Sequence, residues 1–274
     1  MDRWSILLLK ILPQHFLSSL IGKLTKIERV WLKKFIISQF IKKYKVNLTQ
    51  AIEKDALNYK NFNSFFTRAI DLKYRPISDK KIISPVDGKI SFMGNLNENS
   101  NIPVKNSSFV LSNLLANDHE KIKEFKNSEF VAIYLSPKDY HRIHIPFDGQ
   151  LKKMVFVPGS LFSVNELSVR SVPNIFSKNE RLIFYFETEG GLMALIMVGA
   201  IFVGSMQTVW HGDIKEKELK TWDYQDTKDF YFAKGDEIAR FNMGSTVIIL
   251  NSNEKNSFLS GLLGKPVLMG ERIV

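Results

Sequence analysis

The chain has no cysteine among its 274 residues. Disulfides, thiol nucleophiles and thiolate metal sites are thereby excluded, and the composition suits a reducing compartment. Acidic residues are scarce at the start. Through residue 45 only Asp2 and Glu28 face Arg3, Lys10, Lys23, Lys26, Arg29, Lys33, Lys34, Lys42, Lys43 and Lys45. This segment carries a net +8 of the chain's +10, so the remainder is close to neutral. A spanning hydrophobic run is missing as well. Lys10 and Pro13 interrupt the most apolar stretch well short of the ~20 residues a transmembrane helix needs. No small-residue cleavage site follows, so a signal peptide is not expected.

What is present reads as globular, with 45% apolar and 24% charged residues. The length allows one large domain or two small ones. The basic start suits a polyanionic surface, either anionic lipid or nucleic acid. Its apolar residues fall in helical stripes: Trp4, Leu7, Leu8, Ile11 and Leu12, then Phe16, Leu17, Leu20, Ile21 and Leu24, then Ile27, Trp31 and Phe35. Such helices either pack on a core or lie in a membrane interface with Trp4 and Trp31 at headgroup depth. Nothing downstream supplies a base-reading module, so no nucleic-acid partner is expected.

Residues 1–70 read as a helical, membrane-associating segment that ends with 61–70, and Arg75-Pro76 marks an extended connection. Beyond it, short apolar or alternating runs separated by Gly, Pro, Asn and Asp predict strands at 89–93, 130–135, 151–157, 182–187, 192–198 and 246–250. One short helix is expected at 109–115. The fold class expected is α+β, with N-terminal amphipathic helices followed by a mainly antiparallel β body over 71–274.

Three segments stand out chemically. His141 and His144 sit within four residues of each other in Tyr140-His141-Arg142-Ile143-His144. In a strand, i and i+3 point to opposite faces and no cysteine completes a metal set, so separate catalytic roles are favoured over a shared metal. Asp87, in Ser84-Pro85-Val86-Asp87-Gly88, also fits an ordinary hairpin turn. Gly244-Ser245 sets a hydroxyl beside an accessible carbonyl, and equally suits a plain turn into the run Val247–Leu250.

In combination and in order, these segments resemble bacterial phosphatidylserine decarboxylases. The resemblance is carried by Phe65-Phe66-Thr67-Arg68, Arg75-Pro76-Ile77, Ser84 to Gly88, Tyr134 to His144, Pro158 to Asn165, Val198-Gly199-Ala200, Val203-Gly204-Ser205 and Gly244-Ser245-Thr246. Met243 stands where the family has leucine, a swap that keeps apolar volume.

The resemblance implies a self-cleavage triad of Asp87, His144 and Ser245. In it His144 takes the Ser245 proton, Asp87 supports the imidazole and Ser245 attacks the Gly244 carbonyl. Scission between Gly244 and Ser245 would leave a β chain of 1–244 and an α chain of 245–274 that begins with a pyruvoyl group. That cofactor would form a Schiff base with phosphatidylserine and yield phosphatidylethanolamine and carbon dioxide. His141 is the expected proton donor in that step, and Ser163 a substrate-positioning residue. Further expectations are a homodimer, docking on an anionic membrane and a peripheral place on the cytoplasmic side of the cell membrane. Competing readings are a Ser-His-Asp lipid hydrolase, which lacks its Gly-x-Ser-x-Gly elbow here, and a non-enzymatic membrane-binding module.

Overall fold

A computed structural model describes residues 14–96, 101–104, 107–165, 168–169, 172–200, 205–225, 229–242, 245–252 and 257–274. The first apolar stripe through Leu12, the motif residues Val203 and Gly204, and Met243 and Gly244 lie outside the described residues, as do the side chains of Phe16 and Leu17.

Two helices open the described chain, α1 (Gln14–Thr25) and α2 (Val30–Tyr44), and α2 ends where Lys45 adopts a left-handed conformation. The third, α3 (Phe62–Phe66), is much shorter than the helix expected over 61–70. Asn61 and Ser64 close a reciprocal capping box at its start, but Thr67 ends it after little more than a turn. Ile70 instead bridges to Ala51, a pairing between distant residues that outweighs local helical preference. Ile37, Val46, Tyr59, Phe62, Phe65 and Phe66 form a small core of their own. Apolar residues of both helices stay exposed: Trp31 is 67% and Phe35 60% exposed, and Leu20, Leu24 and Val30 are exposed as well.

The β body begins with β1 (Gly88–Asn95) and a hairpin of β2 (Asn101–Val104) and β3 (Ser107–Val110). Short helices α4 (Leu111–Leu114) and α5 (His119–Glu124) precede β4 (Glu129–Leu135), β5 (Arg142–His144) and β6 (Gly149–Val157). After α6 (Ile175–Lys178) come β7 (Arg181–Thr188), β8 (Gly191–Val198), β9 (Met206–Thr208) and β10 (Gly212–Asp213). The chain finishes with β11 (Lys220–Asp223), β12 (Tyr231–Phe232), β13 (Glu237–Phe241), β14 (Ser245–Asn251) and β15 (Pro266–Val267).

The main sheet runs β11-β6-β7-β8-β14-β4-β1-β15, with β12 also on β6, and every pair in it is antiparallel. A second sheet, β10-β9-β13-β5, contributes Ile143, Met206, Ala239 and Phe241 to the same core. The α+β expectation therefore describes the molecule, and each of the six predicted strands lies within an observed one. The short strands β5 and β9 to β13 carry too few residues to show a period, so pairing alone defines them.

The strand that positions the site is β14. Val247, Ile248, Ile249 and Leu250 bury both faces, β4 and β8 bond to its two edges, and all seven of its residues are buried. A near-continuous apolar run is what a central strand covered on both sides requires. Ser245 is its first residue, opposite Leu135 at the end of β4.

On the other side of β4, Gly88 permits a close approach. A Cβ there would lie 2.5 Å from the Tyr134 carbonyl oxygen and 2.8 Å from an Ile133 methyl group. Gly88→Ala is expected to lower unfolding free energy by ~1–3 kcal/mol, read as a lower urea midpoint; an unchanged midpoint would show that the strands can part there.

Candidate active site

Ser245 is wholly buried, and its Oγ has no hydrogen-bond partner; the same is true of the next hydroxyl, Thr246 Oγ1. A buried hydroxyl left unpaired costs ~1–3 kcal/mol, so one at the head of a central strand calls for an explanation.

The chain leaving β4, whose last residue Leu135 lies opposite Ser245, runs through a turn to His141 and into β5 with His144. Ser136 N–H donates to the Asp139 carboxylate at 2.7 Å, and Asp139 N–H returns a bond to the Ser136 carbonyl at 3.0 Å, which closes the turn. His141 then accepts at its carbonyl from Phe241 N–H at 3.0 Å, which fastens the loop to the end of β13, four residues before Ser245. The His141 ring packs on Phe66 with centroids 4.2 Å apart. Its Nδ1 lies 2.8 Å from the Asp139 carbonyl. A carbonyl can only accept, so Nδ1 carries the proton and the neutral ring has its lone pair on Nε2. That nitrogen is buried and without a partner.

His144 is held by the same logic. Its Nδ1 donates to the Gly235 carbonyl at 2.7 Å, and its Nε2 accepts from the Tyr140 hydroxyl at 2.9 Å. Burial lowers its pKa below 6.5, against the pull of the Gly235 carbonyl and the charge of Glu237. The basic nitrogen of His144 is therefore Nε2, and the ring is neutral around pH 7.

Asp87 pairs with a different residue. Arg75 Nε meets Oδ1 at 2.8 Å and Nη2 meets Oδ2 at 2.6 Å, while Met269 N–H adds a bond to Oδ1 at 2.9 Å. Both partners are almost completely buried, and the two-pronged geometry is the kind that makes a buried ion pair tolerable. Two residues before Asp87, the Pro85 carbonyl accepts from His144 N–H at 2.9 Å. Asp87 immediately precedes β1, His144 ends β5 and Ser245 opens β14, and no hydrogen bond joins any two of the three.

Ser163 is half-buried on the loop between β6 and α6. The carboxamide of Asn179 holds that loop, accepting from Phe162 N–H at 3.1 Å and donating to the Phe162 carbonyl at 2.7 Å and the Gly199 carbonyl at 2.8 Å. Gly244 lies outside the described residues.

Several contributors had no signal in the sequence. Arg75 and Tyr140 appeared only as members of motifs, and Gly235 acts through a carbonyl that any residue could supply. Asn63 of α3 donates to the Asn242 side chain at 3.2 Å, so the helical segment touches the approach to β14.

Desolvation drives the His141 pKa from 6.5 down to about 3; the Asp139 carbonyl opposes this and Arg68 reinforces it. Between those values the unfolded chain binds a proton that the folded chain refuses. The stabilising preference for neutral His141 is complete above pH 6.5 and is lost as pH falls toward 3. In His141→Gln, the fall of the urea midpoint from pH 7 to pH 4.5 is expected to be shallower than in the unaltered chain. Identical slopes would show that the buried ring is not the cause.

Comparison with known proteins places the chain in a family. The family described as phosphatidylserine decarboxylase matches residues 62–274, and a second family, described as PSD, matches residues 4–45. The "Phosphatidylserine decarboxylase proenzyme" of Francisella tularensis subsp. novicida is 46% identical over 263 residues, covering 94% of this chain and 92% of the relative. That of Francisella philomiragia subsp. philomiragia is 44% identical over the same shares. With a match that runs from the N-terminal helices through the last strand, the chain belongs to the phosphatidylserine decarboxylase family.

Proposed function

We propose that this phosphatidylserine decarboxylase, a carboxy-lyase that forms phosphatidylethanolamine and carbon dioxide, prepares itself by cutting its chain between Gly244 and Ser245. The observation that carries the reading is the unpaired Ser245 hydroxyl, shut away from water at the head of β14, four residues after Phe241 bonds to the His141 carbonyl. His144 Nε2 takes the hydroxyl proton once Tyr140 releases it, and the Gly235 carbonyl keeps the other ring nitrogen protonated. Ser245 Oγ attacks the Gly244 carbonyl as the Gly244–Ser245 C–N bond breaks, so the peptide becomes an ester. A β-elimination then breaks the Ser245 Cβ–Oγ bond and releases a chain ending in the Gly244 carboxylate. The dehydroalanine left at 245 takes up water and loses ammonia to become a pyruvoyl group. Asp87, clamped by Arg75, supplies negative charge near the imidazolium that forms.

The site fits a pyruvoyl group at residue 245, because elimination carries Oγ away with the β chain and removes the unpaired hydroxyl from the buried position. Once formed, that group supplies a carbonyl for the substrate amine and an electron sink as carbon dioxide leaves. His141, whose Nε2 is the unpartnered ring nitrogen, relays the proton to the carbon that lost the carboxylate. Ser163 helps to position the headgroup. The α chain of 245–274 stays in place after cleavage because β14 bonds to both β4 and β8, and β15 pairs with β1.

Among the described residues no helix is long and apolar enough to cross a membrane. We propose that residues 1–70 instead dock the enzyme on the cytoplasmic face of an anionic membrane. Trp31, Phe35, Val30, Leu20 and Leu24 form the exposed apolar part, and each nearby Lys or Arg adds ~1 kcal/mol.

Denaturing intact mass of active protein should show two chains, the smaller one beginning at residue 245 and reactive toward hydroxylamine. Ser245→Ala and His144→Ala should stay uncut, whereas His141→Ala should cleave and lose ~10²–10⁴ in decarboxylation. Active protein that remains one full-length chain would end this reading. For docking, Trp31→Glu with Phe35→Glu alters only exposed positions. The pair should weaken sedimentation with anionic liposomes about tenfold or more while sparing turnover of a dispersed short-chain substrate. Unchanged sedimentation would refute the docking face.

A further inference from the structure

We propose that Arg68 receives the phosphodiester of the substrate headgroup, an assignment that rests on residue 245 being the amine-reactive position. Arg68 follows α3 and is 5% exposed. Its Nη2 donates to the Lys138 carbonyl at 2.6 Å and weakly to the Asp139 carbonyl at 3.4 Å, but its buried Nη1 has no partner. Among the described residues no carboxylate forms an ion pair with it. Asp87 and Asp139 act on Arg68 only through space. Both Asp87 oxygens are taken by Arg75, and Asp139 Oδ2 accepts from Ser136 N–H. A guanidinium buried without a counter-ion and with a nitrogen unsatisfied is costly unless an anion arrives.

Arg181 shows what a purely structural arginine looks like in the same molecule. It is 2% exposed and has no carboxylate either, yet Nε, Nη1 and Nη2 all donate, to the carbonyls of Leu114, Ser177, Asn179 and Asn113. None of its nitrogens is left bare. Arg68 keeps a donor in reserve, and it does so beside the site: its charge acts on His141, whose ring packs on Phe66 two residues earlier. A bare donor on Arg68 and a bare acceptor on His141 are thus provided by neighbouring side chains.

Phosphatidylserine offers two anions within a few bonds of its amine. Its carboxylate leaves as neutral carbon dioxide, so a fixed cation paired with it would stabilise the ground state more than the transition state and slow the reaction. The phosphodiester keeps its charge from substrate through product. A guanidinium bound there strengthens binding uniformly and lowers KM without holding back the chemistry. The phosphodiester is therefore the anion assigned to Arg68.

Arg68→Gln and Arg68→Lys, made in the full chain, test this. Intact mass and hydroxylamine labelling come first; an unaltered chain lacking the new carbonyl end would sink the residue-245 reading rather than this one. In cut Arg68→Gln, KM for short-chain phosphatidylserine in mixed micelles should rise about tenfold or more, with kcat within about threefold. Inhibition by phosphatidylethanolamine, which has the phosphodiester and no carboxylate, should weaken by the same factor, and Arg68→Lys should recover part of both. Unchanged KM, a loss confined to kcat, or a raised KM with unchanged phosphatidylethanolamine inhibition would each overturn the assignment. Failure of even Arg68→Lys to be cut would assign Arg68 to the fold and overturn it as well.

Discussion

Removal of water from the head of β14 is the constraint on which the site depends. Ser245 is fully buried, as are the ring of His141 and nearly all of His144. The same desolvation keeps both imidazoles neutral, leaves the serine hydroxyl without a partner and makes every nearby charge act over a longer range. Burial therefore does more here than stabilise a core. It sets the protonation state that a proton-abstracting residue needs at neutral pH.

That constraint also explains why the charges around the site are so tightly managed. Asp87 shares this low-dielectric region, and Arg75 binds both of its oxygens. Without such a partner a buried carboxylate would give up its charge by taking a proton. The Gly235 and Asp139 carbonyls do comparable work for the imidazoles, fixing which nitrogen holds the proton without adding a full charge. Neutral acceptors orient the rings, while the formal charges sit one layer farther out.

The helical segment also touches the residues of the candidate site. Phe66 packs on His141, the Thr67 carbonyl accepts from Arg142 at 2.9 Å, and Asn63 reaches Asn242. The outward face of α2 exposes Trp31 and Phe35, whereas Phe62, Phe65 and Phe66 of α3 are buried. Residues 14–70 therefore connect an apolar, basic outer surface to the wall of a buried site, which suits an enzyme whose substrate lies in a bilayer.

The amino-acid sequence by itself determined the α+β class, the six principal strands and the family, because apolar runs bounded by turn residues and ordered motifs are local features. It also singled out Asp87, His141, His144 and Ser245 as residue types suited to proton transfer and acyl chemistry. It did not contain the partners those residues choose. Arg75 on Asp87, Gly235 and Tyr140 on His144, and the bare nitrogens of His141 and Arg68 follow from which backbone groups and side chains the packed core brings together. The helix expected over 61–70 shrank to Phe62–Phe66 for the same reason, as Ile70 found Ala51 across the fold. Hydrogen bonds between residues far apart in the chain leave no period and no spacing to read, so only tertiary structure decides them.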